Sequence, residues 1–271
     1  MGPAQTQTPK SFHFALLGDR TGETEPGVYE RIWEDVAAED PAFVVSVGDT
    51  IEDLKNTSTD AEWQQVERTL GLYRRYPLYL APGNHDVWSQ LSEQSFKKYA
   101  GHSPYYSFDY EQAHFTILDN SRSEQLSANQ LKFLEQDLEL HKAQPVKFIV
   151  SHRPSWLFEA ALGNSNFALH QLAKKYGVQS VIAGHLHKIL RVNLEGVTYL
   201  SMESSGGHLR ASRKYEEGWL FGHTRVDVRG NEVVFQIEET REPYGQSRVT
   251  TLNDWGAVGL RDAPAHRRSA P

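Results

Sequence analysis

Apolar and polar residues along this chain repeat with two alternating periods. "FHFALLG" (12–18), "AFVVSVG" (42–48) and "PLYLAPG" (77–83) are short, nearly continuous apolar runs, each closed by a glycine. Runs of that length predict strands buried on both faces. The segments between them have a helical period. In "PGVYERIWEDVAAED" (26–40), Val28, Ile32, Trp33 and Val36 share one face. "DAEWQQVERTLGLYRRY" (60–76) reads as a second amphipathic helix with Asp60 as its N-cap. Strand and helix in alternation predict a parallel sheet with helices on its faces.

The next stretch varies the theme. "YYSFDY" and "HFTILDN" flank a short turn and predict an antiparallel hairpin. "SANQLKFLEQDLELHKA" predicts a helix, with Ser127 and Gln130 spaced as a capping box. "VKFIVSH" and "VQSVIAGH" read as buried strands, separated by a helix, "NFALHQLAKKYG", that Gly177 closes. After His187 the helical period disappears. "KILRVNLEGVTYLSM" and "GWLFGHTRVDVRGNEVVFQIEE" are alternating strands with tight turns at Glu195-Gly196 and Gly230-Asn231. Parallel units first and antiparallel strands last imply two mixed sheets packed together. The expected organisation is a disordered lead-in over 1–11, a single domain over 12–245, and an irregular tail over 246–271 whose last eight or so residues are mobile.

Composition narrows this only a little. With 271 residues, 39% of them hydrophobic, the chain can build one large core. A net charge of −7 with no dominant Lys or Arg run disfavours a nucleic-acid footprint. No apolar stretch approaches the roughly 18 residues a membrane-crossing helix needs. The polar start lacks the apolar core of a secretory leader, so the expected location is cytoplasmic, or periplasmic or secreted if a leader has been removed. The absence of cysteine excludes disulfides, thiolate metal sites and a cysteine nucleophile. There is no Gly-x-Ser-x-Gly elbow and no Walker-type lysine loop. Oligomeric state leaves no signature.

The informative residues lie just past the ends of the apolar runs, where open α/β sheets place their ligand-binding groups. They are Gly18-Asp19, Gly48-Asp49, Gly83-Asn84-His85-Asp86, Ser151-His152 and Gly184-His185-Leu186-His187. A lone Gly-Asp is usually a turn, and a lone histidine after a strand is usually a hydrogen-bonded structural residue. His-x-His says more, because alternate residues of an extended segment point the same way. Five such ends in succession, offering two aspartates, an asparagine and three histidines, form a mixed oxygen and nitrogen donor set without sulfur. That set suits Mn, Fe, Zn, Co or Ni rather than Ca. Six donors exceed one tetrahedral ion and match two metals sharing a carboxylate.

This order of motifs resembles the calcineurin-like metallophosphoesterases, a superfamily that includes the purple acid phosphatases. The resemblance spans roughly residues 12–240, with "PGNHD" and "AGHLH" as its most specific parts. It implies a four-layer α/β/β/α sandwich holding two divalent or trivalent metal ions. In this resemblance Asp49 bridges the ions, Asp19 and His187 hold the first, and Asn84, His152 and His185 hold the second. His85 faces the substrate as transition-state stabiliser and general acid, with Asp86 orienting it. The nucleophile is then a metal-activated hydroxide attacking a small phosphomonoester or phosphodiester. Arg20 and Arg153, beside ligands, are the expected phosphate contacts, with surface ion pairs as the alternative. His208 and Arg210, in the glycine-rich "SSGGHLR", are further expected substrate contacts.

The chain departs from the family at one position. The usual first motif is Asp-x-His, and Thr21 stands where that histidine would be a ligand. Glu52, three residues after the bridging Asp49, is the expected replacement donor, directly or through water; the alternative is that it only caps or salt-bridges. A weakened first site keeps a second reading open, a non-catalytic phosphate-ligand-binding protein on the same fold. Trp88, Trp156 and Phe158 are candidate cleft residues. His13, His102, His114, His141 and His170 are read as structural.

Overall fold

A computed structural model describes residues 10–55, 58–259 and 266–267. One sheet contains β1 (Ser11–Leu17), β2 (Val44–Ser46), β3 (Leu78–Leu80), β10 (Gly222–Arg229), β11 (Glu232–Glu239), β12 (Arg248–Thr251) and β13 (His266–Arg267), in the order β13-β12-β11-β10-β1-β2-β3. The other contains β4 (Tyr106–Tyr110), β5 (Ala113–Ile117), β6 (Val146–Val150), β7 (Ser180–Ala183), β8 (Leu190–Leu194) and β9 (Val197–Ser201), in the order β4-β5-β6-β7-β9-β8. Both sheets are mixed. β1, β2 and β3 run parallel, as do β5, β6, β7 and β9, and antiparallel strands complete each sheet.

The period-2 pattern sets the layers. In β1, Phe14 and Leu16 enter the core between the sheets, whereas Ala15 and Leu17 face the helices. The inter-sheet core is aromatic at its centre. Phe14 stacks on Phe43 at 5.0 Å and meets Phe115 edge-on at 5.2 Å, and Phe115 stacks on Phe148 at 4.8 Å. These rings come from both sheets, so they weld the layers together. Helices α1 (Val28–Glu39), α2 (Thr59–Leu70) and α3 (Gln90–Ala100) cover the first sheet through Trp33, Trp63 and Phe96. Helices α4 (Ala128–Leu140), α5 (Leu157–Ala161) and α6 (Ala168–Tyr176) cover the second through Leu134, Trp156 and Ala173. The result is the four-layer α/β/β/α sandwich. Among the described residues no helix is long and apolar enough to cross a membrane.

Several local expectations change. The N-cap of α2 is Ser58, because Asp60 lies inside the helix and binds Lys98 and Tyr99. The capping box of α4 is half formed. Ser127 Oγ accepts from Gln130 N at 3.2 Å, but the Gln130 side chain accepts instead from Asp119 N at 2.9 Å, fixing the segment after β5. Helix α3 has no counterpart in the sequence reading; a reciprocal Ser89–Ser92 cap starts it. The Glu195-Gly196 turn has φ values of 47° and 90°, the left-handed pair of a tight hairpin.

The domain starts one residue earlier than expected, since Ser11 opens β1, and the lead-in over 1–9 lies outside the described residues. The irregular tail over 246–271 is corrected. Residues 248–251 add β12 to β11, and Leu252 and Trp255 enter the inter-sheet core. Trp255 is fully buried and donates from Nε1 to Thr250 Oγ1 at 2.8 Å. Of the last eight residues, only the backbone of 266–267 is described. Trp255→Ala is expected to cost about 3–5 kcal/mol in urea unfolding, as removal of a large core aromatic does. An irregular tail would lose almost nothing.

Candidate metal centre

Five loops converge at the carboxyl ends of β1, β2, β3, β6 and β7, and their closeness depends on glycine. A Cβ on Gly83 would strike the backbone and carboxylate of Asp49, and one on Gly184 would strike Asp19. Asp49, His185 and His187 adopt left-handed φ values of 53°, 70° and 57°. Such conformations in non-glycine residues are costly and gather at functional sites. The two histidines of His-x-His are therefore not on an extended segment. They diverge, His185 toward His152 and His187 toward Asp19.

His152, Asp49, Asn84 and His185 form the tighter cluster. His152 Nδ1 donates to Val47 O at 3.0 Å, which turns Nε2 inward. That nitrogen lies 3.0 Å from Asn84 Oδ1, 3.2 Å from Asp49 Oδ2 and 3.2 Å from His185 Nδ1. Asp49 Oδ1 accepts from the His85 amide at 2.8 Å, while buried Asp49 Oδ2 has no hydrogen-bond partner. Acceptor atoms crowded around one point, with an orphaned carboxylate oxygen among them, fit a divalent cation of borderline hardness. Ligand atoms of Asp49, His152 and His185 all lie within 4.8 Å of one another.

The Asp49 and His152 charges depend on each other, and a cation at this point would displace the proton that His152 otherwise holds. Burial acts to raise the Asp49 carboxyl, but His152 and His85 outweigh it and hold the group well below the usual carboxylate range. Burial acts to lower His152, but Asp49 and Asp19 outweigh it and push the imidazole up to about 9. Burial, reinforced by His152 and Arg153, brings His185 down to about 4.

The other half of the site is looser. His187 Nδ1 donates to His208 O at 2.7 Å, and its Nε2 faces Asp19 Oδ2 at 3.3 Å and accepts from Arg210 Nη2 at 3.3 Å. Asp19 is buried, and its two oxygens accept from the His185 amide at 2.9 Å each.

Two expected roles are corrected. Asp86 does not orient the His85 ring. Its oxygens accept from the amides of Thr50 at 2.8 Å, Ile51 at 3.1 Å and Gly83 at 2.8 Å, so it ties the β2 and β3 loops together. Burial and the Asp49 charge push it up to about 6. The His85 ring is held instead by Glu52, whose backbone oxygen accepts from Nδ1 at 3.0 Å. The Glu52 carboxylate is not aimed at a metal. It accepts from the Thr21 and Thr24 hydroxyls and from the amides of Gly22 and Glu23, clamping the loop after β1. Nothing in the chain pattern gave this away, because an acidic residue in that place serves either purpose.

The expected phosphate contacts fall in different places. Arg20 Nη1 donates to Thr50 O at 2.9 Å, and its guanidinium lies over Tyr29 in a cavity of about 570 Å³. Arg153 pairs with Glu124 and reaches His185 Nε2 at 3.3 Å. His208 shares a cavity of about 400 Å³ with Gly22, Glu23, Glu52, His85 and Arg210. Trp156 is core, packed on Tyr199, and Phe158 projects into solvent.

A model of the calcineurin-like phosphoesterase family matches residues 13–189. The chain belongs to the calcineurin-like phosphoesterases. The family is metal-dependent, and membership makes this chain a hydrolase acting on phosphoester bonds. It is similar to the 3',5'-cyclic adenosine monophosphate phosphodiesterase CpdA of Escherichia coli strain K12, at 29% identity over 205 residues, covering 71% of this chain and 70% of the relative. Its fold is similar to a purple acid phosphatase from yellow lupin (Lupinus luteus) seeds, with TM-score 0.66 and 17% identity over 90% of this chain. The chain spans about half, 53%, of that phosphatase. It is also similar to GAP50, the anchor in the inner membrane complex of Plasmodium, with TM-score 0.63 and 15% identity over 93% of this chain and 90% of that one.

A second acid–histidine group, Asp109, His114 and His141, is an ion-pair network rather than a metal site. Both His114 nitrogens are taken, Nδ1 by Asp109 Oδ1 at 2.7 Å and Nε2 by Asp137 Oδ2 at 2.9 Å. Burial opposes the charge on His114, but Asp137 and Asp109 prevail and raise it; burial likewise opposes the charge on Asp137, and His114 prevails and lowers it. The His114 contribution is complete below its unfolded value of about 6.5 and is lost as pH rises through the raised folded value. The Asp137 contribution is complete above about 3.9 and is lost as pH falls through the lowered one. His114→Phe is expected to cost about 3 kcal/mol in urea unfolding at pH 5.5 and measurably less at pH 9. A gap that does not change with pH contradicts the charged pair. Glu52→Gln is expected to lower stability by about 1 kcal/mol through loosened loop contacts. Elemental analysis after manganese loading should find its metal content equal to that of the wild type; a lower content restores Glu52 as a ligand.

Proposed function

We propose that this chain hydrolyses a small phosphomonoester or phosphodiester at the Asp49–Asn84–His152–His185 centre, with His85 as general acid. The observation that carries the reading is the convergence of possible ligand atoms around His152 Nε2, next to a backbone contact that fixes His85. A bound divalent ion would supply Lewis-acid stabilisation of phosphoryl oxygens and lower the pKa of attacking water.

The protein's own groups perform the remaining tasks. Val47 O engages Nδ1 of His152, so Nε2 is the nitrogen that faces the centre and would give up its proton to a bound cation. Glu52 O engages the Nδ1 proton of His85, so Nε2 faces the cavity and donates a proton in the doubly protonated, imidazolium form. As the phosphorus–oxygen ester bond breaks, that proton passes to the departing oxygen and neutralises it. The His85 amide on Asp49 Oδ1 ties the His85 backbone to the Asp49 carboxylate. Of the expected arginine contacts, Arg153 touches this centre, with Nη1 3.3 Å from His185 Nε2.

The E. coli relative, by its name, acts on 3',5'-cyclic adenosine monophosphate, which supports a diester as the first substrate to test. Thr21 in place of a histidine donor favours the competing reading, a phosphate-ligand-binding protein without turnover. Manganese-loaded protein assayed on p-nitrophenyl phosphate and its bis-ester separates the two. Absence of hydrolysis with every divalent ion tried would leave only the binding reading. If the active reading holds, His85→Asn is expected to lower kcat by about 10²- to 10⁴-fold at unchanged metal content.

A further inference from the structure

The two halves of the centre treat their histidines alike and reach different results. His152 and His187 both donate from Nδ1 to a backbone carbonyl, at 3.0 Å to Val47 and 2.7 Å to His208. Both therefore turn Nε2 toward a buried aspartate. Around His152 that nitrogen lies within 3.2 Å of Asn84 Oδ1, Asp49 Oδ2 and His185 Nδ1. Around His187 it is already satisfied, by Arg210 Nη2 at 3.3 Å.

We propose that Arg210 takes the place of the first metal. Its guanidinium is the fixed cation on the Asp19–His187 side, and the chain holds one metal ion, on the Asp49–Asn84–His152–His185 side. The substrate phosphate then meets one metal and one arginine. This second half of the inference rests on the phosphoesterase reading; the metal count does not.

Three further observations support it. The first is donor shortage. Thr21, where a ligand would be needed, is fully buried and its hydroxyl is engaged by Glu52 and Thr24, while Glu52 is itself held by the loop. Among the described residues, three His or carboxylate ligand atoms gather around Asp49 but not around the Asp19–His187 pair. The second is space. Gly22 sits at φ 92°, and a Cβ there would lie 3.3 Å from Arg210 Nη2 and 2.9 Å from His187 Cε1. Glycine at 22 leaves the opening through which the arginine reaches the histidine. The third is direction. Arg210 and His85 line the same cavity of about 400 Å³, so the guanidinium can grip phosphate oxygens beside the proton donor.

The test uses the full chain, stripped of metal, reloaded with excess Mn²⁺ and desalted. One manganese per chain is expected by elemental analysis, with the six-line electron paramagnetic resonance spectrum of an isolated ion. Arg210→Glu exchanges the cation for a donor at an exposed position, and is expected to bind two ions with an exchange-coupled spectrum. Two ions in the wild type, or one in both proteins, overturn the inference and leave the proposed hydrolysis intact. No ion in the wild type overturns the metal-dependent reading itself. Arg210→Ala is expected to keep one ion and raise KM for the p-nitrophenyl ester about tenfold or more, as loss of a charge-assisted contact does. An unchanged KM removes Arg210 from the substrate.

Discussion

Asp19 and Asp49 are fully buried carboxylates at neighbouring strand ends, and their charge has to be balanced inside the protein. An uncompensated buried carboxylate costs several kcal/mol, so the surrounding structure is arranged to prevent that loss. Backbone amides of His185 and His85 point at the two carboxylates, His187 and His152 lie against them, and glycine at 83 and 184 lets the chains come close enough. The left-handed conformations of Asp49, His185 and His187 follow from the same demand. Each carboxylate has a cation to find, and the protein supplies the two sides differently.

The sandwich makes that arrangement rigid. The strand ends belong to both sheets, Asp19 and Asp49 to one, His152 and His185 to the other, and the Phe14–Phe43–Phe115–Phe148 cluster locks the sheets together. A shift of either sheet would separate His152 from Asp49, so the core sets the donor geometry. Asp86 adds a polar tie across the β2 and β3 loops. The buried ionisable groups thus divide into those that gather charge and those that only hold backbone, and burial alone does not distinguish them.

That division explains what the sequence could and could not reveal. Apolar runs ending in Gly-Asp, Gly-Asn-His-Asp and Gly-His-x-His are local signals, and they marked the strands and the candidate donors because residue type and strand end are written in adjacent residues. Jobs settled by distant partners were invisible. Whether Glu52 faces a metal or a loop depends on Thr21 and Thr24, about thirty residues away in the chain. Whether Asp86 serves His85 or the backbone depends on the amides of Thr50 and Ile51. Helix α3 was missed because Ser89 and Ser92 cap it without the Glu or Gln of the familiar box. The tail was misjudged because two apolar residues, Leu252 and Trp255, decide its place without any run or period.

The most consequential hidden residue lies outside the motifs altogether. The family match ends at residue 189, and every donor of the Asp49 cluster falls within it. Arg210 and His208 come later, on the loop between β9 and β10. That loop is stitched onto the first motif. Ser205 Oγ accepts from Gly18 N at 2.9 Å, and the amides of Ser205 and Gly207 donate to Asp19 O at 3.0 and 3.1 Å. The conformation of the Asp19 loop and the position of Arg210 are therefore one structural fact. A family-wide motif can specify where a metal-binding aspartate stands, yet the cation that satisfies it is chosen by a loop the motif does not contain. Sequence changes in 203–210 are thus the place where this fold can exchange a metal for an arginine without disturbing the strand ends that carry the remaining ligands.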